Sequence, residues 1–208
     1  MKLLFSIEGN IGSGKSTLIE SLKKIKSNFI FLPEPVDLWN EIKDSSGLTI
    51  LENYYKEPKQ YAFSFQMMAY ITRLQQLKDC VKNSPPDCVI ITERSLYTDR
   101  EVFAKMLYDS GNISQIEYSI YLKWFDSFIE KDVLTGIIYM ESDPELCSKR
   151  ICHRNRKGEE SIPLEYLTNC HNYHENWLTS LINKGLPIML MNDSSDIMNL
   201  LSFINTFR

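Results

Sequence analysis

Five short runs of apolar residues alternate along the chain with longer stretches in which apolar positions recur at helical spacing. A run of four or five residues with almost no polar position is typical of a parallel strand that is covered on both faces. Strands that alternate with helices predict an α/β fold, here a five-stranded parallel sheet flanked by helices. The predicted strands cover residues 3–7, 29–32, 88–92, 136–140 and 187–191.

The stretches between these strands predict helices, some of which begin at glycine or proline residues. A polar and charged segment over residues 154–161 predicts a loop. We expect one domain over residues 1–208, with a lid at about residues 153–161. The predicted helices cover residues 16–26, 59–81, 99–108, 114–130, 144–152, 164–183 and 196–207.

Composition narrows the class of protein. A chain of 208 residues with 43% hydrophobic content is large enough for one globular core. A net charge of −4 disfavours a general nucleic-acid binder, which needs a basic face. The five cysteines are scattered and odd in number, which is typical of reduced thiols. No apolar run approaches ~18 residues, so we expect no membrane span. A strand pattern begins at Lys2, so we also expect no cleaved targeting segment and a cytoplasmic protein.

The segment GNIGSGKS, at residues 9–16, follows the first predicted strand and opens the first predicted helix. It fits the pattern G-x-x-x-x-G-K-[ST], in which backbone N–H groups and a helix N-terminus converge on phosphate oxygens. We expect Lys15 to reach the β- and γ-phosphates of a nucleoside triphosphate, and the Ser16 hydroxyl to bind Mg²⁺. The residues predicted to bind the triphosphate here are Gly9, Asn10, Ile11, Gly12, Ser13, Gly14, Lys15, Ser16 and Thr17.

Charged residues follow three other predicted strands. Glu34 lies between two prolines after the second strand, Glu93 and Arg94 follow the third, and Glu141 follows the fourth. Because the carboxyl ends of parallel strands meet at one edge of a sheet, we expect these residues to share a site with the phosphate loop. A carboxylate can assist magnesium or orient an attacking hydroxyl, and an arginine can neutralise a transferring phosphate. A surface ion pair or a solvated glutamate is the alternative.

Three arginines, Arg150, Arg154 and Arg156, lie at the end of one predicted helix and in the polar loop after it. A mobile arginine loop can close over the γ-phosphoryl oxygens and exclude water. A solvated basic loop is the alternative. The chain lacks the guanine-reading sequence N-K-x-D of GTPases.

Together these features resemble the deoxyribonucleoside kinase family, which contains deoxycytidine, deoxyguanosine and mitochondrial-type thymidine kinases. The resemblance covers nearly the whole chain, and the order and spacing of its motifs match. The motifs are SIEGNIGSGKST, PEPVDLW, YYKEPKQYAFSFQ, ERSLYTDR, GIIYMESDPELC, RICHRNRKGEESIPLEYL and HxxHExWL.

The resemblance implies transfer of the γ-phosphate of ATP, or another triphosphate, to the 5′-hydroxyl of a deoxyribonucleoside in nucleotide salvage. Glu34 would be the base at that hydroxyl, with Arg94 beside it. Glu93 would assist Mg²⁺, which Ser16 ligates. The lid over the donor phosphates would be formed by Arg150, Arg154 and Arg156, and the donor base would lie near Asp196 and Ile197.

The resemblance also assigns an acceptor pocket. Tyr55 and Glu159 would hold the sugar 3′-hydroxyl, with Glu159 preferred to Glu160 by its spacing to the segment that starts at Ile162. Gln66 would pair with the base edge. An aromatic side chain stacked on a base contributes about 1–3 kcal/mol, and Phe65 would have that role. The walls of the pocket would be Trp39, Leu51, Phe65 and Phe103.

Three positions separate the branches of this family by base preference, and here they are Ala69, Arg73 and Asp99. The charged pair resembles the deoxycytidine/deoxyguanosine branch, since the thymidine-preferring branch has small or apolar residues there. A buried pair suits an exocyclic amino or carbonyl group and crowds a thymine methyl; a structural salt bridge is the alternative. Tyr54 is bulkier and more polar than expected in the pocket, so a thymidine-preferring kinase stays open.

Two other functions stay open. A monophosphate kinase of the thymidylate type shares the phosphate loop and the lid, but it needs extra positive charge for the acceptor phosphate. A nucleotide-binding switch without catalysis is disfavoured because Lys15, Ser16, Glu34 and Arg94 are all present. The segment near Asp196 matches the family poorly, so the donor is either ATP or UTP. The resemblance also implies a homodimer through helices that include residues 118–128.

Overall fold

The computed structural model describes residues 1–129, 134–156, 158–159, 162–192 and 196–208 of the protein. Its centre is one sheet in which all strand pairs are parallel, in the order β2-β3-β1-β4-β5. The prediction of an α/β fold with a five-stranded parallel sheet is confirmed. The strands are β1 (Leu3–Glu8), β2 (Ile30–Leu32), β3 (Val89–Glu93), β4 (Gly136–Met140) and β5 (Ile188–Met191).

The helices connect these strands and flank the sheet. Among the described residues, none of the helices combines the length and the apolar character needed to cross a membrane. They are α1 (Lys15–Ile25), α2 (Val36–Glu41), α3 (Ile50–Lys56), α4 (Pro58–Asn83), α5 (Leu96–Thr98), α6 (Lys105–Asp109), α7 (Gln115–Phe128), α8 (Pro144–Arg154), α9 (Leu164–Ile182) and α10 (Ile197–Asn205), with a π-helical turn (Asp99–Ala104) between α5 and α6.

Alternate residues of β1 pack against opposite layers of helices. Leu3, Phe5 and Ile7 lie in a core cluster with residues of α1 and α10. Leu4 points the other way, into a cluster that includes Trp177 of α9. Because both faces of the central strands are covered, these strands are apolar over nearly their whole length.

The sequence did not predict α2 and α3. Each is only six or seven residues long, which is too short for helical periodicity to be recognised. The signal that was present is local: Thr49 and Glu52 form a capping box at the start of α3. Both short helices contribute to a core cluster with α4, through Trp39 and Tyr54.

The other helix boundaries differ from prediction by a few residues. The helix predicted over residues 99–108 begins earlier, at Leu96, where Ser95 caps it, and contains the π-helical turn. The helix predicted over residues 114–130 ends at Phe128 in the structure, and residue 130 lies outside the described part of the chain.

Candidate active site

A cavity of about 700 Å³ lies at the carboxyl ends of the strands. It is lined by residues of the phosphate loop after β1, by Glu34 after β2, by the last residue of β3, and by residues of α1 and α4. Every residue that the sequence analysis assigned to the acceptor pocket lines this one cavity. Ligands of open parallel sheets bind at this edge, so we take the cavity as the candidate active site.

The phosphate loop turns sharply between β1 and α1 because it contains glycines in conformations that other residues rarely adopt. Gly9 has φ 141° and Gly12 has φ 79°. A Cβ atom on either residue would lie 2.6 Å from a backbone oxygen, that of Met140 for Gly9 and that of Cys147 for Gly12. A side chain at either position would displace the loop. The loop leads into the N-terminus of α1, which favours bound anions.

The Lys15 ammonium group is held against the phosphate loop. Its Nζ donates to the backbone oxygens of Asn10 at 2.6 Å and Gly9 at 3.1 Å. Burial and the nearby positive charge of Arg94 lower the pKa of Lys15 to about 7. The side chain therefore lies where it can neutralise phosphate, and a bound anion would favour its charged form.

Ser16 and Glu93 lie together at the start of α1. The Ser16 hydroxyl donates to Glu93 Oε1 at 2.7 Å. A hydroxyl oxygen and a carboxylate oxygen are ligands that Mg²⁺ accepts, because Mg²⁺ binds hard oxygen donors and retains several waters. The two residues predicted to serve the metal therefore fit that role chemically.

Glu34 is bound by two arginines. Its Oε1 accepts hydrogen bonds from Arg94 Nη1 at 2.5 Å and from Arg73 Nη2 at 3.3 Å. Arg94 also donates from Nη2 to the Gly9 oxygen at 3.4 Å, which ties the guanidinium to the phosphate loop. The backbone of Arg94 has φ 61°, a left-handed conformation that costs about 1–3 kcal/mol for a non-glycine residue.

These arginines decide the charge state of Glu34. Burial acts to raise the pKa of Glu34, but the charges of Arg94, Arg73 and Lys15 outweigh it and lower the pKa to about 2. The carboxylate is therefore ionised at neutral pH and can accept a proton or a hydrogen bond from a hydroxyl.

An aromatic pocket lies beside this charged cluster. The rings of Phe65 and Tyr54 stack with centroids 4.7 Å apart and an interplanar angle of 16°, and Trp39 meets Phe65 edge-on at 5.3 Å. The Gln66 side chain is buried next to Phe65, and its Oε1 has no hydrogen-bond partner among the described residues. A buried oxygen without a donor is costly, so this pocket suits a flat ligand that carries an N–H group at its edge.

Arg73 links the far end of this pocket to Glu34. Its Nε donates to Asp99 Oδ2 at 2.9 Å and its Nη1 to the Glu93 backbone oxygen at 2.7 Å. Burial raises the pKa of Asp99, and the charge of Arg73 opposes that shift. The predicted pair of Arg73 and Asp99 is present, and Ala69 lies one helical turn before Arg73 on the same face of α4.

The predicted sugar end of the cavity contains Tyr55 and Glu159. Glu159 is buried and accepts hydrogen bonds from Arg154 Nη2 and, at 3.1 Å, from Arg156 Nη1. Arg150 donates to the Ser142 hydroxyl at 3.3 Å. Arg154, the last residue of α8, and Arg156, which follows the helix, thus already lie at the cavity. Part of the predicted lid, residues 157, 160 and 161, lies outside the described residues.

Some predicted residues do not line the cavity. Gly9, Asn10 and Ser13 belong to the phosphate loop but do not line the cavity; the Asn10 amide donates to the Leu167 oxygen at 2.8 Å and supports the loop. Glu141 was expected at this edge, but its side chain is exposed and lies outside the cavity lining.

The two predicted donor-base residues differ in position. The Asp196 carboxylate caps α10 by accepting from Met198 N at 2.9 Å, whereas Ile197 lines the cavity. Residue 195, which lies next to them in the poorly matching segment, is outside the described part of the chain.

Sequence reasoning missed Tyr166, which lines the cavity from α9. Its hydroxyl lies 2.8 Å from the Tyr54 hydroxyl. This contact explains how a polar Tyr54 is accommodated in the pocket, since each buried hydroxyl has a partner. The available signal was the position of Tyr166 in the motif RICHRNRKGEESIPLEYL.

Comparison with known proteins agrees with this geometry. The family model described as deoxynucleoside kinase matches residues 5–205. Deoxycytidine kinase 2 of Gallus gallus is 38% identical, over 93% of this chain and 83% of its own length. The mitochondrial deoxyguanosine kinase of Xenopus laevis is 33% identical, over 93% and 82%. The deoxycytidine kinase of Homo sapiens is 36% identical, over 83% and 74%.

The match extends over nearly the whole chain, from β1 to α10, and includes the phosphate loop, Glu34 and the two arginines that bind it. The resemblance inferred from the motifs is thereby confirmed, and the chain belongs to the deoxynucleoside kinase family, whose members transfer a phosphoryl group to a hydroxyl group.

Proposed function

We propose that this protein transfers the γ-phosphate of ATP to the 5′-hydroxyl of deoxycytidine and purine deoxynucleosides. The observation that carries the proposal is the position of Glu34, whose carboxylate lies in one cavity with the phosphate loop and the aromatic pocket. A nucleoside stacked in that pocket and a triphosphate on the loop would meet at this carboxylate. Positioning of this kind is the main requirement for phosphoryl transfer.

Glu34 acts on the attacking hydroxyl. Both arginines bind Oε1, so we assign Oε2 as the atom that orients the 5′-hydroxyl and accepts its proton. A pKa of about 2 makes Glu34 a weak base in the free protein. That is sufficient where the transition state is loose, because the hydroxyl then loses its proton late, as the new P–O bond forms.

The positive groups stabilise the charge that spreads over the transferred phosphoryl group. Lys15 is assigned to the β- and γ-phosphates, and Arg94 to the region between Glu34 and the loop. The outer side of the phosphate donor is assigned to three arginines that exclude water there, Arg150, Arg154 and Arg156. Ser16 and Glu93 would hold Mg²⁺, which would supply positive charge beside the donor phosphates.

The base preference is supported by Gln66, Arg73 and Asp99. The unpartnered Gln66 oxygen suits an N–H donor on the base edge, and the Arg73–Asp99 pair supplies both a donor and an acceptor. The relatives named as deoxycytidine and deoxyguanosine kinases point in the same direction. The acceptor end of the cavity offers Tyr55 and Glu159 in addition, groups that suit neutral hydroxyls better than a second phosphate.

A panel assay tests the proposal. The assay measures phosphorylation of four deoxynucleosides and of their monophosphates, with ATP and with UTP, in the presence and absence of Mg²⁺. The deoxynucleosides are deoxycytidine, deoxyadenosine, deoxyguanosine and thymidine. We expect metal-dependent phosphorylation of deoxycytidine or a purine deoxynucleoside. Activity on monophosphates alone would contradict the proposal, and thymidine as the best acceptor would refute the base preference.

We also propose a homodimer formed through α7. Exposed apolar side chains recur along that helix at intervals of four residues and form one apolar stripe, which consists of Ile116, Ile120, Trp124 and Phe128. Tyr121 and Phe125, on a neighbouring face of α7, are buried in the core of the same chain. A continuous apolar stripe on a helix supports an interface with a second copy.

A cytoplasmic location remains a prediction. All five cysteines are unpaired, and unpaired thiols support a reducing compartment.

A further inference from the structure

Glu8 is a buried carboxylate that the mechanism above does not use. It is the last residue of β1, directly before the phosphate loop, and its side chain is fully buried. Its Oε1 has no hydrogen-bond partner among the described residues. An ionised carboxylate in such a position lowers stability unless other groups compensate it, so its presence calls for a reason other than packing.

The other oxygen of Glu8 holds the start of α5. Oε2 accepts a hydrogen bond from the Thr98 hydroxyl. The Oγ1 atom of Thr98 in turn makes two contacts with Ser95, since it lies 3.2 Å from Ser95 Oγ and accepts from Ser95 N at 3.4 Å. A chain of hydrogen bonds therefore runs from the end of β1 to the residue that follows Arg94.

Arg94 directly precedes Ser95, and its backbone adopts the left-handed conformation. Its N–H donates to the Ile7 oxygen at 2.9 Å, so β1 holds the turn on one side through Ile7 and on the other through Glu8 and Thr98. A left-handed conformation at a non-glycine residue persists only where its surroundings enforce it.

Glu8 also acts on the Arg94 side chain. The Glu8 carboxylate is among the negative charges, after Glu34 and Glu93, that raise the pKa of Arg94 against the effect of burial. The Nε of Arg94 is buried and has no partner among the described residues, as is the case for Oε1 of Glu8. One site thus contains a donor and an acceptor of opposite charge, both unpaired.

We infer that Glu8 is a positioning residue: its buried carboxylate holds the Arg94 turn through Thr98, and its charge acts directly on the Arg94 guanidinium and so helps to keep that group on Glu34. This inference rests on the proposed phosphoryl transfer. It adds a residue that contacts neither substrate and that acts from the core side of the phosphate loop. A purely structural Glu8 would support folding without any specific effect on Arg94.

The test uses the full chain and a double-mutant cycle. Glu8→Gln is chosen because the amide oxygen can still accept from Thr98 while the charge is lost; Thr98→Val removes the hydroxyl, and Thr98→Ser retains one. We expect Glu8→Gln to lower kcat roughly 10- to 100-fold, with the Kd of the nucleoside within about threefold of wild type. Thr98→Val should lower kcat more than Thr98→Ser does. Glu20→Gln, on the exposed side of α1, is the control.

The cycle separates positioning from folding. In an Arg94→Lys background, Glu8→Gln should lower kcat by less than about twofold, because the group that it positions is already gone. If Glu8→Gln lowers kcat by the same factor in the Arg94→Lys background as in the wild-type protein, the inference is overturned. It is also overturned if both Glu8→Gln and Thr98→Val leave kcat unchanged. If Glu8→Gln does not fold, the same cycle with Thr98→Val decides the question.

A structural readout distinguishes this inference from the proposed function. A crystal structure of Glu8→Gln should show Arg94 displaced from Glu34 Oε1, whether or not the wild-type protein phosphorylates nucleosides. An unmoved Arg94 refutes the inference alone. A wild-type protein inactive on the whole acceptor panel refutes the proposed function alone.

Discussion

The Nη1 atom of Arg94 lies 2.5 Å from Oε1 of Glu34, although three helices, α2 to α4, and strand β3 separate the two residues along the chain. The contact joins the carboxylate proposed to receive the acceptor hydroxyl to a cation that also touches the phosphate loop. It fixes the orientation of Glu34 and keeps it ionised. The site therefore holds a carboxylate and a cation in contact before any substrate is bound.

Glu34→Gln should lower kcat by about 10²- to 10⁴-fold while the nucleoside still binds. The amide is nearly isosteric, but it can neither accept a proton nor keep the charge that the two arginines require. Steady-state kinetics and nucleoside titration by calorimetry measure the two effects. Glu41→Gln, on the exposed surface of α2, is the matched control. Unchanged turnover in Glu34→Gln would remove the proposed role.

The same substitution should change the pH dependence of stability. The pKa of Glu34 is lowered from 4.5 to about 2 in the folded protein. Its stabilising contribution is therefore fully present above pH 4.5 and is lost as the pH falls toward 2. The difference in the free energy of unfolding between wild type and Glu34→Gln should narrow across that window in urea titrations. A difference that stays constant from pH 6 to pH 2.5 would contradict the assigned pKa.

Arg73→Met combined with Asp99→Ala should shift acceptor preference toward thymidine. In the proposed function, this pair crowds the place of the thymine methyl and supplies polar partners to other bases. Replacing both residues should change the ratio of kcat/KM for thymidine and deoxycytidine by roughly 10- to 200-fold. The ion pair of half-buried Arg100 and exposed Asp126, changed to Met and Ala, is the control. An unaltered ratio would identify the Arg73–Asp99 pair as purely structural.

Binding of the triphosphate should take up protons through Lys15. Its pKa is about 7 in the free protein, so at pH 8 the side chain is largely neutral, and bound phosphates favour the charged form. Calorimetry in buffers of different ionisation enthalpy should show uptake approaching about one proton at pH 8 and less at pH 6. Lys15→Arg should abolish the uptake, and Lys23→Met on the exposed side of α1 should retain it. Equal uptake in Lys15→Arg would refute the assignment.

Trp124→Glu should convert the proposed dimer into a monomer. A charge in the middle of the α7 stripe cannot be buried against a second copy without a large desolvation penalty. Sedimentation velocity measures the change, and circular dichroism checks that the fold is intact. Ile182→Glu, at an exposed position near the end of α9, is the control. A wild-type protein that sediments as a monomer would refute the interface directly.

The sequence predicted those parts of the site that depend on local order. The phosphate loop is contiguous, and Glu34, Glu93 and Arg94 each lie at or directly after a strand, so a parallel sheet brings them together by necessity. Glu141 follows a strand in the same way and yet is exposed. A position at the end of a strand places a residue at the edge of the sheet where the site lies. The direction of its side chain, however, depends on the space that the next helix leaves free.

The sheet, the phosphate loop and the chemical types of the candidate catalytic groups follow from short-range periodicity and from motifs with fixed spacing, both of which can be read in the sequence. Which of these groups pair depends on how the folded chain packs. The contacts of Arg73 with Glu34, of Tyr166 with Tyr54 and of Glu8 with Thr98 join residues that are 39, 112 and 90 positions apart. Such pairs depend on how α4, α5 and α9 pack against the strands, and hydrophobic burial, which drives that packing, carries no directional signal in the sequence.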